Sequence, residues 1–199
     1  MKIIVYTGSF NPVSKGHLNI IEKLSNLEEV KKVFVVPVGD FYNKKGLESS
    51  KHRINMLRKF ESPIIEISEI ETSNKKQLRT IETLRIIKEK YPLDDIYLVL
   101  GSDNLVAINT WYKWEELIRD YKLLVVHRKG YKPLNDIIND LAYLKEFKSN
   151  LSEISIDCNF VSSTKIRELF RDNKLEELKK YAPSSTIEYI SKYNLYKNV

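Results

Sequence analysis

The chain has 199 residues, enough for one domain with a substantial hydrophobic core and too few for two ordinary domains. Hydrophobic residues make up 42% of it and charged residues 30%, and the charges interrupt the apolar runs too often for a membrane-spanning segment. The net charge of +6 would suit a nucleic-acid binder, but the basic residues are spread out without a long Lys/Arg block, so we expect no nucleic-acid partner.

Strand-like and helical patterns alternate along most of the chain. Apolar runs rich in β-branched residues predict strands at residues 2–7, 32–38, 64–68, 96–100, 123–127 and 154–157. Apolar residues at helical spacing predict helices at residues 17–27, 51–60, 77–90, 114–119 and 134–147. This alternation is typical of an α/β fold with a doubly wound, mostly parallel, Rossmann-like sheet, in which ligands bind beyond the carboxyl ends of the strands.

The C-terminal part shows helical patterns only, at residues 164–171, 174–180 and 185–192. We therefore expect a single domain, 1–199, with an α/β core over 1–161 and a C-terminal helical part over 162–199. Residues 40–50 form the longest predicted loop, and this loop follows the carboxyl end of a strand, where a mobile lid would be useful.

Two further features bear on location and on metal chemistry. The first residues carry one lysine and a short apolar run ending in a glycine turn, without a cleavage-like site, so we expect a cytoplasmic protein. Cys158 is the only cysteine, which excludes an internal disulfide and a thiolate metal cluster. We expect it to be a small, partly buried residue.

The most informative segment joins the first strand to the first helix. Gly8 lets the backbone turn sharply, and the helix then begins near residues 15–17 with unpaired N–H groups facing the loop, an arrangement that attracts anions. Because any parallel α/β protein has strand–glycine–helix junctions, Gly8 alone leaves an ordinary junction and a phosphate site both open. The polar side chains on this connection favour the phosphate site: Ser9, Asn11, Ser14, Lys15 and His17.

Two later segments also follow predicted strands or lie close to their ends. Gly101 permits close backbone approach, and the Asp103 carboxylate either accepts from a ribose hydroxyl or caps the next helix; the residues leave both interpretations open. Trp111 and Tyr112 form an aromatic pair that either stacks on a flat ring or fills the core.

A fourth segment, residues 162–167, places three hydroxyls before a helix. An ordinary N-cap needs only one hydroxyl, so Ser163 and Thr164 are spare, and Lys165 and Arg167 add positive charge to the helix start. These features indicate a second phosphate site. Two such sites in one small domain suit a long phosphate chain.

Other chemistries find little support in the sequence. His17, His52 and His127 are not at zinc-ligand spacing. The absence of a glycine-rich loop followed by Lys-Ser/Thr excludes a P-loop enzyme, and the absence of Gly-x-Gly-x-x-Gly counts against a dinucleotide oxidoreductase. A serine-nucleophile elbow is missing as well.

Two of the four segments resemble the signatures of one superfamily. Residues 8–17, Gly-Ser-Phe-Asn-Pro-Val-Ser-Lys-Gly-His, resemble the nucleotidyltransferase pattern Gly-x-Phe-x-Pro followed by (His or Thr)-x-Gly-His. Residues 161–167, Val-Ser-Ser-Thr-Lys-Ile-Arg, resemble its second signature, Ile-Ser-Ser-Thr-x-Ile-Arg. Within the superfamily, nearly the whole chain resembles bacterial nicotinate-nucleotide adenylyltransferases, with supporting matches at His52-Arg53, Met56, 80–84, 101–103, 111–112 and 187–196.

The resemblance implies transfer of AMP from ATP to nicotinate mononucleotide, which forms deamido-NAD and pyrophosphate in NAD biosynthesis, with Mg²⁺ accompanying ATP and no covalent enzyme intermediate. It implies catalytic roles for His17, Ser14 and Arg167. The implied ATP-binding residues are Gly8, Ser9, Phe10, His17, Gly101, Asp103, Ser163, Thr164 and Arg167. The implied nicotinate-nucleotide-binding residues are Ser9, Lys45, Thr80, Trp111, Tyr112 and Arg128.

The sequence departs from the family pattern at Ser14, where bacterial members usually have histidine. Serine keeps a hydroxyl contact to phosphate but not a second imidazole. This departure leaves two alternatives: nicotinamide mononucleotide as the acceptor, and a catalytically weakened nucleotide-binding regulator. Phosphopantetheine as acceptor is a rival from the same superfamily, but the family that uses it is shorter and lacks the Trp-Tyr match and this helical ending. The metal ligands are unknown from the sequence, and a homo-oligomer is left open.

Overall fold

Parallel strands and helices alternate in the structure, a computed structural model that describes residues 1–156 and 162–197. The strands are β1 (Lys2–Gly8), β2 (Val30–Pro37), β3 (Ile65–Ile67), β4 (Asp95–Gly101), β5 (Lys122–Val126) and β6 (Leu151–Ile154). The helices are α1 (Lys15–Ser25), α2 (Ser50–Leu57), α3 (Thr80–Lys90), α4 (Ser102–Val106), α5 (Trp114–Asp120), α6 (Leu134–Asp140), α7 (Ser163–Arg171), α8 (Leu175–Leu178) and α9 (Ser184–Tyr193). Short 3₁₀ helices occupy Arg58–Phe60, Ile108–Thr110 and Ala142–Asn150.

The six strands form one sheet in the order β3-β2-β1-β4-β5-β6, and every described strand pair is parallel. Strand β1 is central because both faces of its apolar run are covered. Ile3 and Val5 pack into one buried cluster, while Ile4 and Tyr6 pack into the other. The doubly wound α/β fold predicted from the sequence is confirmed.

The chain reverses its direction of strand addition between β1 and β4, and the carboxyl ends of these two strands open a crevice for ligands. Helix α9 and the residues after it pack on the sheet face that carries Ile4 and Tyr6. Ile190, Leu195 and Tyr196 belong to the same buried cluster as Ile4, so this segment shares the core of the sheet. Among the described residues, no helix is both long enough and apolar enough to cross a membrane.

Two local predictions were wrong, and one short helix was missed. The helix predicted over 134–147 ends at Asp140 and continues as a 3₁₀ helix, whose i, i+3 spacing buries Leu144 and Phe147 equally well. Strand β6 begins three residues before the predicted 154–157, because an edge strand tolerates polar residues at 152 and 153. Helix α4 has only five residues, too few to show a period. Residue 157 and Cys158 lie outside the described residues.

Candidate active site

Two cavities open side by side at the carboxyl ends of β1, β4 and β5. The first has a volume of about 480 Å³ and the second about 440 Å³. Four side chains line both cavities: Tyr6, His17, Lys44 and Arg128. The two cavities therefore meet at a boundary that carries two cationic groups and an imidazole.

Helix α1 begins at this boundary with a reciprocal cap. The Ser14 hydroxyl accepts from the His17 backbone N–H at 3.2 Å, and His17 Nδ1 accepts from the Ser14 backbone N–H at 3.1 Å. Since Nδ1 is an acceptor here, the neutral ring carries its proton on Nε2. The Ser14 hydroxyl also lies 3.0 Å from Nδ1, so the residue that departs from the family pattern positions His17.

His17 stays neutral near pH 7 in the free protein. Burial lowers its pKa from 6.5 to about 4, and the positive charges of Arg128 and Lys44 act in the same direction. The ring also packs edge-on against Phe10, with 5.0 Å between the ring centroids. The imidazole is therefore neutral and held in one orientation, and its Nε2–H can donate to an anionic ligand.

The second signature docks directly onto the first. The Ser163 hydroxyl donates to the Pro12 carbonyl at 3.1 Å, and Arg167 Nη1 donates to the Asn11 carbonyl at 2.7 Å. Arg167 Nη2 also donates to the Thr164 hydroxyl at 3.1 Å. These contacts bring the starts of α1 and α7 together, and residues of both helix starts line the second cavity.

Lys44 reaches the cavities from the loop formed by residues 39–49. Its ammonium donates to the Ser9 hydroxyl at 2.9 Å, and its pKa is lowered by burial first and then by Arg167 and Arg53. Lys45, which the resemblance assigned to nicotinate-nucleotide binding, is exposed and lines neither cavity. The structure therefore brings Lys44 to the site in place of its neighbour.

A buried arginine fixes the ends of the 39–49 loop. The Arg53 side chain is 0% exposed and donates to the carbonyls of Ser9, Val38 and Glu48 at 3.0, 2.7 and 2.8 Å. It also contacts the Asp40 carboxylate at 3.2 Å. These acceptors lie just after β1 and at both ends of the loop, so one buried side chain connects the three.

An ion pair between Asp103 and Arg128 lies above Gly101. Asp103 Oδ1 is 2.9 Å from Arg128 Nε, and a Cβ atom on Gly101 would overlap both groups. The N-cap of α4 is Gly101, and Asp103 lies within the first turn of this helix, so Asp103 is not its N-cap. A side chain at position 101 would therefore have to displace Asp103 or Arg128.

We expect Gly101→Ala to lower kcat/KM about tenfold or more while the protein stays folded, because the added methyl group displaces Arg128 from both cavities. Steady-state kinetics, with thermal unfolding as a check on folding, measures this effect. A Gly101→Ala protein with kcat/KM within twofold of the wild type would contradict this expectation.

The far end of the first cavity combines a helix start with aromatic rings. Thr80 begins the 11-residue helix α3, and the Arg79 side chain lines the cavity beside it. Trp111 is partly buried: it packs against the core and also lines the cavity. The position of Trp111 is therefore compatible both with filling the core and with stacking on a flat ring. Tyr112 lines the same wall and is 53% exposed.

The structure brings most of the predicted site residues together. The first cavity is lined by Gly8, Ser9, His17, Thr80, Gly101, Trp111, Tyr112 and Arg128, and the second by Ser14, His17, Asp103, Arg128, Ser163, Thr164 and Arg167. Phe10 is fully buried beneath the turn and, like Lys45, lines neither cavity. Phe10 therefore supports the turn from below.

Sequence reasoning missed several residues that line the cavities. Arg79, Lys129 and Tyr131 are among them. Lys129 and Tyr131 follow β5, and the rule that ligands bind beyond the carboxyl ends of strands could have pointed to them. Arg79 precedes a helix rather than following a strand, so that rule gave no signal for it.

The site offers no cluster of protein ligands for a resident metal. Among residues 1–156 and 162–197, no group of three His, Cys, Asp or Glu side chains could hold an ion. The Asp103 carboxylate at the second cavity is already paired with Arg128. Mg²⁺ commonly binds through substrate phosphates and water, which requires few protein ligands.

Comparison with known proteins agrees with this geometry. A family model described as Cytidylyltransferase-like matches residues 5–169. A protein of Caldicellulosiruptor saccharolyticus named "Probable nicotinate-nucleotide adenylyltransferase" is 32% identical over 99% of this chain and 100% of its own length. One of the same name from Carboxydothermus hydrogenoformans is 31% identical over 98% of both chains. A structure of Plasmodium falciparum nicotinic acid mononucleotide adenylyltransferase complexed with NaAD has a TM-score of 0.83 and 29% identity, covering 98% of this chain and 97% of that one.

The sheet order, the crevice at its switch point and the two paired helix starts define an α/β nucleotidyltransferase. The matching family model and the full-length relatives narrow this class. The chain belongs to the cytidylyltransferase-like family and, within it, to the nicotinate-nucleotide adenylyltransferases. The resemblance identified from the two sequence signatures is thereby confirmed.

Proposed function

We propose that this chain transfers the adenylyl group of ATP to nicotinate mononucleotide, with pyrophosphate and deamido-NAD as products. The observation that carries this proposal is the pair of cavities that meet at His17, Lys44 and Arg128. One cavity has the aromatic wall suited to a pyridine ring, and the other has the helix starts suited to a phosphate chain. Full-length similarity to the structure complexed with NaAD supports the same assignment.

The reaction joins the contents of the two cavities. A phosphate oxygen of the mononucleotide attacks the α-phosphorus of ATP, the bond from that phosphorus to the bridging oxygen breaks, and pyrophosphate leaves with the electron pair. No enzyme nucleophile or general base is needed, because the attacking phosphate oxygen is already anionic. Catalysis therefore rests on positioning and charge stabilisation.

The residues at the boundary between the two cavities both position the substrates and stabilise charge. The His17 Nε2–H donates to the phosphoryl group that moves between the cavities, since its Nδ1 is held by Ser14. Lys44 and Arg128 line both cavities and balance charge on both substrates, whereas Arg167 lines only the second and holds the leaving phosphates. Asp103 accepts from a ribose hydroxyl while it keeps Arg128 in place.

The first cavity selects a carboxylate-bearing ring. Backbone N–H groups at the start of α3 and near Tyr112 receive the carboxylate, and Arg79 adds positive charge to the same wall. A carboxamide would turn its NH₂ group towards these donors and leave buried donors unpaired. Nicotinate mononucleotide is therefore the preferred acceptor.

The cytoplasmic location and the oligomeric state are predictions from the sequence alone.

Pyrophosphate release tests the function directly. The protein is mixed with ATP and Mg²⁺ and, in separate reactions, with nicotinate mononucleotide, nicotinamide mononucleotide and phosphopantetheine. We expect the largest kcat/KM with nicotinate mononucleotide, by about tenfold or more over the amide, because one unpaired donor costs about 1–3 kcal/mol. Measurable ATP binding without turnover of any acceptor would support a regulator instead, and fastest turnover with phosphopantetheine would reassign the first cavity.

A further inference from the structure

Asn11 connects four segments of the chain at the turn before α1. Its side chain is fully buried, and its Nδ2 donates to the Gly46 carbonyl at 2.7 Å. Its Oδ1 accepts from the Glu48 backbone N–H at 3.1 Å and from the Tyr196 hydroxyl at 2.8 Å. Its own carbonyl accepts from Arg167 at 2.7 Å. We call this set of contacts the Asn11 junction.

Tyr196 reaches the junction from the C-terminal segment. The residue is 3% exposed and lines neither cavity, so it touches no bound substrate. Its ring packs in the buried cluster that contains Ile4 and Phe10. Burial raises the pKa of its hydroxyl, which therefore remains a donor at every physiological pH.

Backbone strain lies on both sides of the junction. Phe10, directly before Asn11, has a φ of +46°, and Tyr196 has a φ of +62°, both in the left-handed region that disfavours residues other than glycine. Such conformations persist only where surrounding contacts determine them, and they concentrate at functional sites. The buried hydrogen bond from Tyr196 to Asn11 joins one strained residue to the direct neighbour of the other.

We propose that Tyr196 is a positioning residue of the active site: its hydroxyl, through Asn11, fixes the turn that leads to Ser14 and His17 and the end of the loop that carries Lys44. The contacts at Gly46 and Glu48 transmit the constraint to the 39–49 loop, and the contact with Arg167 transmits it to the second cavity. Small displacements of such groups weaken catalysis far more than they weaken binding.

Tyr196→Phe tests the proposal, because it removes the hydroxyl and keeps the ring. The kinetic part rests on the proposed function: we expect kcat to fall about fivefold, the effect of one lost hydrogen bond, with KM for both substrates within twofold. Tyr193→Phe is the matched control, since this residue is 46% exposed and its ring contacts Tyr189 and His52. Equal kcat for the two variants would overturn the proposal.

Hydrogen–deuterium exchange supplies a readout that does not depend on turnover. In the folded Tyr196→Phe protein we expect at least threefold faster exchange in peptides that contain Glu48, with no change in peptides of β4. In a double-mutant cycle, adding Tyr196→Phe to Asn11→Ala should lower kcat no further. Unchanged exchange at Glu48, or additive losses of kcat, would overturn the proposal. A wild type that does not turn over nicotinate mononucleotide would refute only the proposed function, since the exchange result still decides the role of Tyr196.

Discussion

Replacing His17 by alanine should lower kcat by about 10²–10³-fold, the loss measured when one preorganised donor to a reacting oxyanion is removed. The ring lines both cavities, and its Nδ1 is occupied by the Ser14 N–H, so its Nε2–H is the group aimed at ligand. Binding of nicotinate mononucleotide should change little, because the first cavity keeps its other walls. Steady-state kcat together with calorimetric binding of the acceptor measures the two effects separately.

Two further variants sharpen this test. His17→Gln retains an N–H donor of similar reach and should recover part of the lost rate. His52→Ala removes an imidazole that contacts the Tyr189 hydroxyl and lines neither cavity, so its kcat should stay within twofold of wild type. A His17→Ala protein as active as His52→Ala would remove His17 from the mechanism.

Replacing Arg53 by methionine should lower the free energy of unfolding by about 3–5 kcal/mol, because each buried or partly buried carbonyl left without its donor costs about 1–3 kcal/mol. The side chain is completely buried, and three backbone carbonyls lose their guanidinium donor. Asp40 loses its cationic partner as well. Urea unfolding followed by circular dichroism measures the change, provided that the slope against denaturant stays constant.

Arg58→Met is the control for this experiment. Arg58 follows the same helix and pairs with Glu69 on the surface, where both side chains are 49% exposed. A surface ion pair contributes less than about 1 kcal/mol, so this variant should unfold close to the wild type. Similar losses for the two variants would show that the buried contacts of Arg53 add no special stability.

The elements that the sequence predicted well are those with strong local patterns. The runs at 2–7 and 96–100 have the continuous apolar character of strands covered on both faces, and they became β1 and β4 within one residue at each end. Strand β6 lies at the sheet edge with two exposed residues, so its polar pattern concealed it. The helix predicted at 134–147 was interrupted at Leu141, where ψ reaches 87°, although the apolar spacing continues.

Predictions about the site divided in a similar way. The two signatures identified His17 and Arg167, because the polar residues at a helix start lie close together in the sequence and form a recognisable local pattern. The choice between Lys44 and Lys45 was not recoverable, since adjacent residues in a loop differ only in the direction that the folded backbone gives them. The role of Ser14 in holding His17 Nδ1 also required coordinates, as a capping box with histidine at its third position has no common sequence signature.

The sequence by itself determined the α/β class, the two phosphate-binding helix starts and the family, because each depends on residues only a few positions apart. Tertiary structure alone decided which groups meet. Arg53 binds backbone carbonyls, which every residue possesses and which carry no sequence signal. Tyr196 meets Asn11 across 185 positions of the chain. Only the packing of the C-terminal helices against β1 brings that hydroxyl to the turn, since no local pattern specifies a partner so distant in sequence.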